Sequence, residues 1–199
     1  MLSKSTLKTF LLFTALSLPV AVLQSAELPE VQLKKTIEAV IEVLYKVDDS
    51  ESLETKRAEV LSVLDQSFSF DVIIRRTLGR NWEKLSPDQQ NQIVTLATDL
   101  LIHSYTREFT AGRKPTVAFE KPLELSTNKI EIASVLSLEN TNINLTYRLA
   151  KLESGWQVYD LIVEGVSLVS NYRKQFDAHF QKKNGDELID QLEAKLDAL

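Results

Sequence analysis

The chain is predicted to fold as an α+β domain, with helices packed on one face of an antiparallel sheet. Three observations carry this. Apolar residues recur at helical spacing over residues 28–110, alternate strictly over 115–164, and return to helical spacing after Gly165. No internal repeat and no long linker interrupts the order, so the sequence reads as a signal segment, 1–26, followed by one domain, 27–199.

The first segment differs from the rest. Lys4 and Lys8 precede an apolar run from Phe10 to Leu23, and Gln24-Ser25-Ala26 then leads to acidic Glu27. Charge, order and length are those of a cleaved secretory signal. The run is shorter than the roughly 20 residues that span a bilayer, and Pro19 interrupts it.

The helices follow in order. Leu33, Ile37, Val40, Ile41 and Leu44 form the first stripe. Asp48-Asp49-Ser50 breaks it and is expected to cap a second helix carrying Val60, Leu61, Leu64 and Phe68. Phe70, Ile73, Ile74 and Leu78 mark a short third helix that Gly79 stops. Ser86-Pro87-Asp88-Gln89 is the sharpest local signal: an N-cap, a proline at the first helical position and a capping-box glutamine. The helix it opens carries Ile93, Leu96, Leu100, Leu101 and Tyr105.

The strands alternate. Ile130, Ile132, Leu136 and Leu138 share one face, as do Ile143, Leu145, Tyr147 and Leu149, with a turn at residues 139–142. A four-residue loop there would pair Leu138 with Ile143, and Leu136 with Leu145. A second turn at Glu153-Ser154-Gly155 would set Leu149, Tyr147 and Leu145 opposite Tyr159, Leu161 and Val163, with Arg148 against Asp160 on the other face. Val169, Tyr172, Phe176 and Phe180 then mark a helix, and Asp186 is expected to cap the last one.

Composition removes several kinds of chemistry. The chain has 199 residues, no Cys and two His, His103 and His179. That excludes disulfides, thiolate metal sites and a Cys nucleophile, and leaves little for a multi-His site. Net charge is −5, and without residues 1–26 there are 21 basic against 28 acidic residues, which argues against nucleic-acid binding. The sequence holds no phosphate-cradling Gly-rich loop, no HExxH and no Gly-x-Ser-x-Gly. His103 and His179 read as helix-flank residues, and Asp71 with Arg75 or Arg76 as a surface ion pair. The apolar sheet face admits two readings. It is either an ordinary closed core or one wall of a cavity for an apolar ligand.

Two stretches carry a resemblance. One runs from Phe70-Asp71-Val72 through Leu78-Gly79-Arg80, Trp82, Ser86-Pro87, Gln89-Gln90 and Leu100-Leu101 to Tyr105. The other is Trp156-Gln157-Val158-Tyr159-Asp160-Leu161, then Glu164-Gly165-Val166-Ser167-Leu168-Val169 and Asn171-Tyr172-Arg173. Both resemble signatures of the MlaC family, periplasmic phospholipid-binding proteins also called toluene-tolerance proteins. The resemblance implies a twisted antiparallel meander wrapped by helices, with acyl chains in an apolar cavity between sheet and helices. It implies a monomeric periplasmic carrier that hydrolyses nothing and needs no cofactor beyond its phospholipid cargo. Its partners would be an outer-membrane lipoprotein–porin complex and an inner-membrane lipid ABC transporter, and its task the maintenance of outer-membrane lipid asymmetry. Gly79, Trp82 and Gly165 would serve structure.

The resemblance does not fix the pocket lining. The strand register nominates Leu136, Leu138, Leu145, Tyr147, Leu149, Tyr159, Leu161 and Val163, with Leu101 and Tyr105 reaching across from the capped helix. A periplasmic interaction protein with a closed core and no lipid is the alternative. Export is directly testable. N-terminal sequencing of the periplasmic protein is expected to begin close to Glu27, and Met1 on a membrane-bound form is the contrary result.

Overall fold

The computed structural model describes residues 27–46, 52–109 and 113–199, excluding the side chains of Tyr105 and residues 107–109. The expected signal segment and the Asp48-Asp49-Ser50 cap lie outside the described residues. Six helices and six strands follow in the order α1 (Pro29–Tyr45), α2 (Leu53–Leu64), α3 (Phe70–Leu78), α4 (Pro87–Phe109), β1 (Thr116–Phe119), β2 (Leu123–Ser126), β3 (Lys129–Ser137), β4 (Asn142–Leu152), β5 (Gly155–Val163), β6 (Val166–Ser167), α5 (Leu168–His179) and α6 (Gly185–Asp197). A 3-10 turn, Gly79–Lys84, joins α3 to α4. Among the described residues no helix is long and apolar enough to cross a membrane.

Local chemistry explains the helix ends. The Ser86 hydroxyl accepts from the Gln89 N–H at 3.2 Å while the Gln89 side chain accepts from the Ser86 N–H at 2.9 Å, the expected capping box. Gly79 ends α3 at φ +54°, ψ −127°, a conformation that penalises a Cβ. The last helix departs from expectation: Asn184, not Asp186, caps it, in a reciprocal box with Glu187. Gly185 then becomes the first helical residue. A Cβ there would come within 2.6 Å of the Leu85 side chain, so α6 lies close on the start of α4. Asp186 instead accepts from the Gln89 side-chain amide at 2.6 Å.

The sheet is antiparallel, in the order β1-β3-β4-β5-β6, with β2 paired to the other end of β3. Two predicted pairings shift. Leu136 faces Ile143, Ser134 faces Leu145 and Ile132 faces Tyr147, a two-residue displacement from the expected β3–β4 register. A two-residue slip keeps every side chain on its face, so apolar alternation does not select against it. Charge does: the observed register sets Glu131 opposite Arg148, and the Arg148 Nε donates to Glu131 at 2.6 Å. Leu138 consequently leaves the strand and sits in the turn, its N–H donating to the Thr141 carbonyl.

Between β4 and β5 the predicted pairs Leu145–Val163, Tyr147–Leu161 and Arg148–Asp160 are present. Beyond Arg148 the register jumps by one residue, and Leu149 faces Val158. Tyr159 is the extra residue of this β-bulge. The Glu153-Ser154 loop is one residue shorter than expected, and the bulge absorbs the difference.

Away from the apolar face, Arg148 lies between two carboxylates. Its Nη1 is 3.5 Å from Asp160. Asp160 is 4% exposed. It also accepts from the Ser167 hydroxyl at 2.7 Å and from the Val169 N–H at 3.2 Å, at the start of α5. Asp160→Ala would leave the Ser167 hydroxyl and the buried Val169 N–H without their acceptor and remove one of the two carboxylates beside Arg148. The expected cost is about 3 kcal/mol, a fall in Tm of roughly 10 °C. Thermal unfolding followed by circular dichroism checks this, and an unchanged Tm counts against it.

Candidate functional site

One face of β3, β4 and β5 is apolar along its length, and its two ends differ. At one end Ile130, Ile132, Tyr147, Leu149 and Val158 pack beneath Leu33 and Ile37 of α1 and beneath Phe68. Phe68 meets the Tyr147 ring edge-on at 6.4 Å and stacks on Phe70 at 6.1 Å. Phe119 of β1 tilts against Tyr147 from the other side, at 6.2 Å. At the other end Leu145, Leu161 and Val163 are only half-buried.

This wall carries little polarity. Tyr147 is 2% exposed, and burial pushes its phenol up to about 12. It is therefore neutral at any physiological pH. The Ser134 hydroxyl, also on this face, is buried beside the Tyr147 phenol.

The predicted lining residues separate in the structure. Leu136, Tyr147 and Leu149 are buried on the face, and Leu145, Leu161 and Val163 continue it. Leu138 is half-buried in the β3–β4 turn. Tyr159 is a correction: the bulge takes it out of the predicted pair with Leu149, and Arg76 of α3 covers its ring at 4.6 Å. Helix α4 is another. Its main neighbours are α6, α3 and α2. Leu101 accordingly faces other helices, and the side chain of Tyr105 lies outside the described ones.

Leu101 lines a second apolar space that the sequence analysis did not anticipate. It lies among α3, α4, α5 and α6, with Ile73, Ile74, Ala97, Leu100, Tyr172 and Phe176 in its walls. The cavity it encloses is about 40 Å³, well below the range of small-molecule sites. Thr77 and Tyr172 carry the hydroxyls among its lining residues, and the Thr77 hydroxyl donates to the Ile74 carbonyl at 2.6 Å. The stripe Leu100, Leu101, Tyr172 and Phe176 was visible as helical periodicity. Periodicity shows that a face is buried, not which neighbour buries it.

The two histidines lie on helices α4 and α5. His179 is 2.9 Å from the Asn184 carbonyl through Nε2 and meets Phe180 edge-on. His103 on α4 holds its Nδ1 buried without a partner. Burial first, and then the charge of Arg57 on α2, hold its pKa below the usual histidine value, opposed by Asp99 and Glu54. Among the described residues no group of three or more His, Asp or Glu is placed to hold a metal ion.

Comparison with known proteins gives two positive findings. The family model described as MlaC protein matches residues 34–194. Among solved structures, a phospholipid-binding protein from Ralstonia solanacearum, in complex with a phospholipid, superposes with a TM-score of 0.78 at 23% identity. The match covers 85% of this chain and 97% of that one, and establishes the shared fold. No curated protein matches the sequence significantly.

Proposed function

The chain belongs to the MlaC family, and from that membership we propose that it is a phospholipid carrier, holding acyl chains against its apolar sheet face and releasing its cargo chemically unchanged. The observation that carries the reading is the asymmetry of that face. One end is covered by Leu33, Ile37 and Phe68, while Leu145, Leu161 and Val163 continue the same surface and are only half-buried. The phospholipid held by the Ralstonia solanacearum protein supports the choice of ligand.

The physics of transfer requires such a surface. Two acyl chains expose on the order of 30 methylenes, each costing ~0.8 kcal/mol in water. Free diffusion of the lipid is therefore negligible, and a protein wall must replace the membrane interior throughout transit. Strands of this length, at ~3.3 Å rise per residue, match an extended acyl chain. Apolar burial is non-directional, so it holds chains of different length without a fixed pose. The carrier would work in the periplasm as a monomer, after removal of residues 1–26. It would exchange lipid with an outer-membrane lipoprotein–porin complex and an inner-membrane ABC transporter, and so maintain outer-membrane lipid asymmetry.

The sealed half of the face favours one other reading, an interaction protein with a closed core. Solvent extraction of the purified protein followed by mass spectrometry separates the two. The carrier is expected to yield about one phospholipid per chain and no free fatty acid; a lipid-free extract supports the closed core, and released fatty acid points to hydrolysis. Leu145→Asp sharpens the test. On a lipid wall it places a carboxylate beside acyl chains, at a cost of several kcal/mol. Lipid content is then expected to fall while circular dichroism stays native. In a closed core the same change unfolds the protein. A folded Leu145→Asp with its full lipid load overturns this face as the pocket.

A further inference from the structure

Cations concentrate at one place on this acidic chain. Arg75 and Arg76 end α3, Arg80 and Lys84 lie in the 3-10 turn, and all four are exposed. Arg173 joins them from α5. Its guanidinium donates to the Arg76 carbonyl, at 2.9 Å through Nε, and runs beside Gly79. Two acids pair within the group: Glu83 is 4.0 Å from Arg75, and Asp177 is 3.8 Å from Arg80 while accepting from Asn81. Asp71, one turn before Arg75, accepts instead from the Ser69 hydroxyl. Among the described residues no carboxylate pairs with Arg76 or Arg173. Five cations with two paired acids thus stand together on a chain of net charge −5.

We propose that this face is a docking surface for a folded protein partner that presents carboxylates. The proposal rests on the carrier reading above and adds the face by which the carrier meets a membrane complex. The cations are held in place. Arg75 lies over the Trp82 ring at 5.7 Å, Arg76 over Tyr159 at 4.6 Å and Lys84 over Phe180 at 5.9 Å. A ring contact occupies the flat side of a guanidinium and leaves its in-plane N–H donors open. Such a fork pairs with a carboxylate through two hydrogen bonds and loses little further freedom in doing so. The end of α3 accounts for part of the cluster, since cations suit a helix C-terminus. It engages Arg173 by hydrogen bond, but among the described residues Arg75, Arg76 and Arg80 donate none.

Three features favour a protein over a bilayer. Peripheral membrane binding combines charge with an inserted apolar face. None of the large exposed apolar residues of the described chain lies on α3, the 3-10 turn or α5. Glu83 and Asp177 stand among the cations, so the charge pattern is mixed. A uniformly anionic lipid surface would repel both, whereas a folded partner can set a cation opposite each. Arginines fixed on rings also suit fixed carboxylates better than mobile head groups. The acidic remainder of the chain adds orientation, because an acidic partner repels it and attracts this face.

The test is binding of the lipid-loaded mature protein to the purified outer-membrane and inner-membrane complexes of the carrier reading, each in detergent. Vesicles of phosphatidylglycerol and of phosphatidylcholine are measured alongside. Arg75→Glu/Arg80→Glu reverses two exposed cations, and Lys34→Glu/Lys35→Glu makes the same charge change on exposed positions of α1. The wild-type protein and the α1 pair are expected to bind one complex equally, and more weakly as salt rises. Arg75→Glu/Arg80→Glu is expected to weaken that binding about tenfold or more, with lipid load and circular dichroism unchanged. Arg76→Lys keeps the charge, loses the fork, and is expected to weaken binding as well. Full binding by Arg75→Glu/Arg80→Glu overturns the face, and so do equal losses in both charge-reversed pairs. A loaded wild-type protein that binds neither complex overturns the docking proposal, and one that binds phosphatidylglycerol vesicles instead makes the partner a bilayer. A wild-type protein without lipid overturns the carrier reading itself.

Discussion

Arg148 holds the architecture together from the side of the sheet that faces away from the apolar wall. It lies between Glu131 of β3 and Asp160 of β5, so a single side chain on the central strand ties both neighbours. Asp160 in turn accepts from Ser167 and from the Val169 N–H, which fixes where α5 begins. Ion pairs of this kind add little net stability, because desolvation cancels much of the attraction. Their effect is selective: a register that separated these charges would bury at least one without a partner. The apolar residues opposite follow from that choice. Ile132 meets Tyr147, and Tyr147 meets Leu161, because Glu131, Arg148 and Asp160 are aligned behind them.

The helices divide into two groups around that sheet. α3, α4, α5 and α6 share a cluster built on Ile74, Leu78, Ile93, Phe176 and Leu188. α1 and α2, with Ile102 of α4, form another. Phe68 stands at the boundary. The Ser67 carbonyl and Ser69 N–H bond to Val158, so the backbone at Phe68 runs along the edge of β5. Its ring is thereby held against both Tyr147 and Phe70. An aromatic carried on strand-paired backbone is more rigid than one on a free loop, which suits a residue that seals one end of an apolar wall.

Much of this was legible in the sequence. The helical and alternating periods, the Ser86 capping box, the stop at Gly79 and the Arg148–Asp160 pair are local or nearly local signals, and the structure contains each. Three features were not legible, for separate reasons. The β3–β4 register differs by two residues, to which alternation is blind; the Glu131–Arg148 pair would have discriminated. The bulge at Tyr159 depends on a loop one residue shorter than expected, and Gly155 permits either turn. The position of α4 is tertiary. Leu100 and Leu101 announce a buried face, but nothing local distinguishes burial against α3 and α6 from burial against the sheet. Of the candidate site, the central-strand residues Leu145, Tyr147 and Leu149 came directly from period two. The neighbours of Leu101 and the strand partner of Tyr159 each depended on one of these non-local facts.

A carrier must hold its cargo firmly enough to cross water and loosely enough to give it up, and the two kinds of surface here bear differently on that balance. Apolar burial scales with area and has no preferred geometry, so it resists escape into water yet barely opposes transfer into another apolar environment. An apolar wall that holds acyl chains would therefore set the barrier to loss in solution, not the barrier to hand-over. Polar contacts behave in the opposite way. They are weak against water, which competes for them, but specific in position. Under the carrier reading, the apolar face of β3, β4 and β5 serves the first of these tasks, and it leaves transfer to another apolar surface nearly free of a barrier.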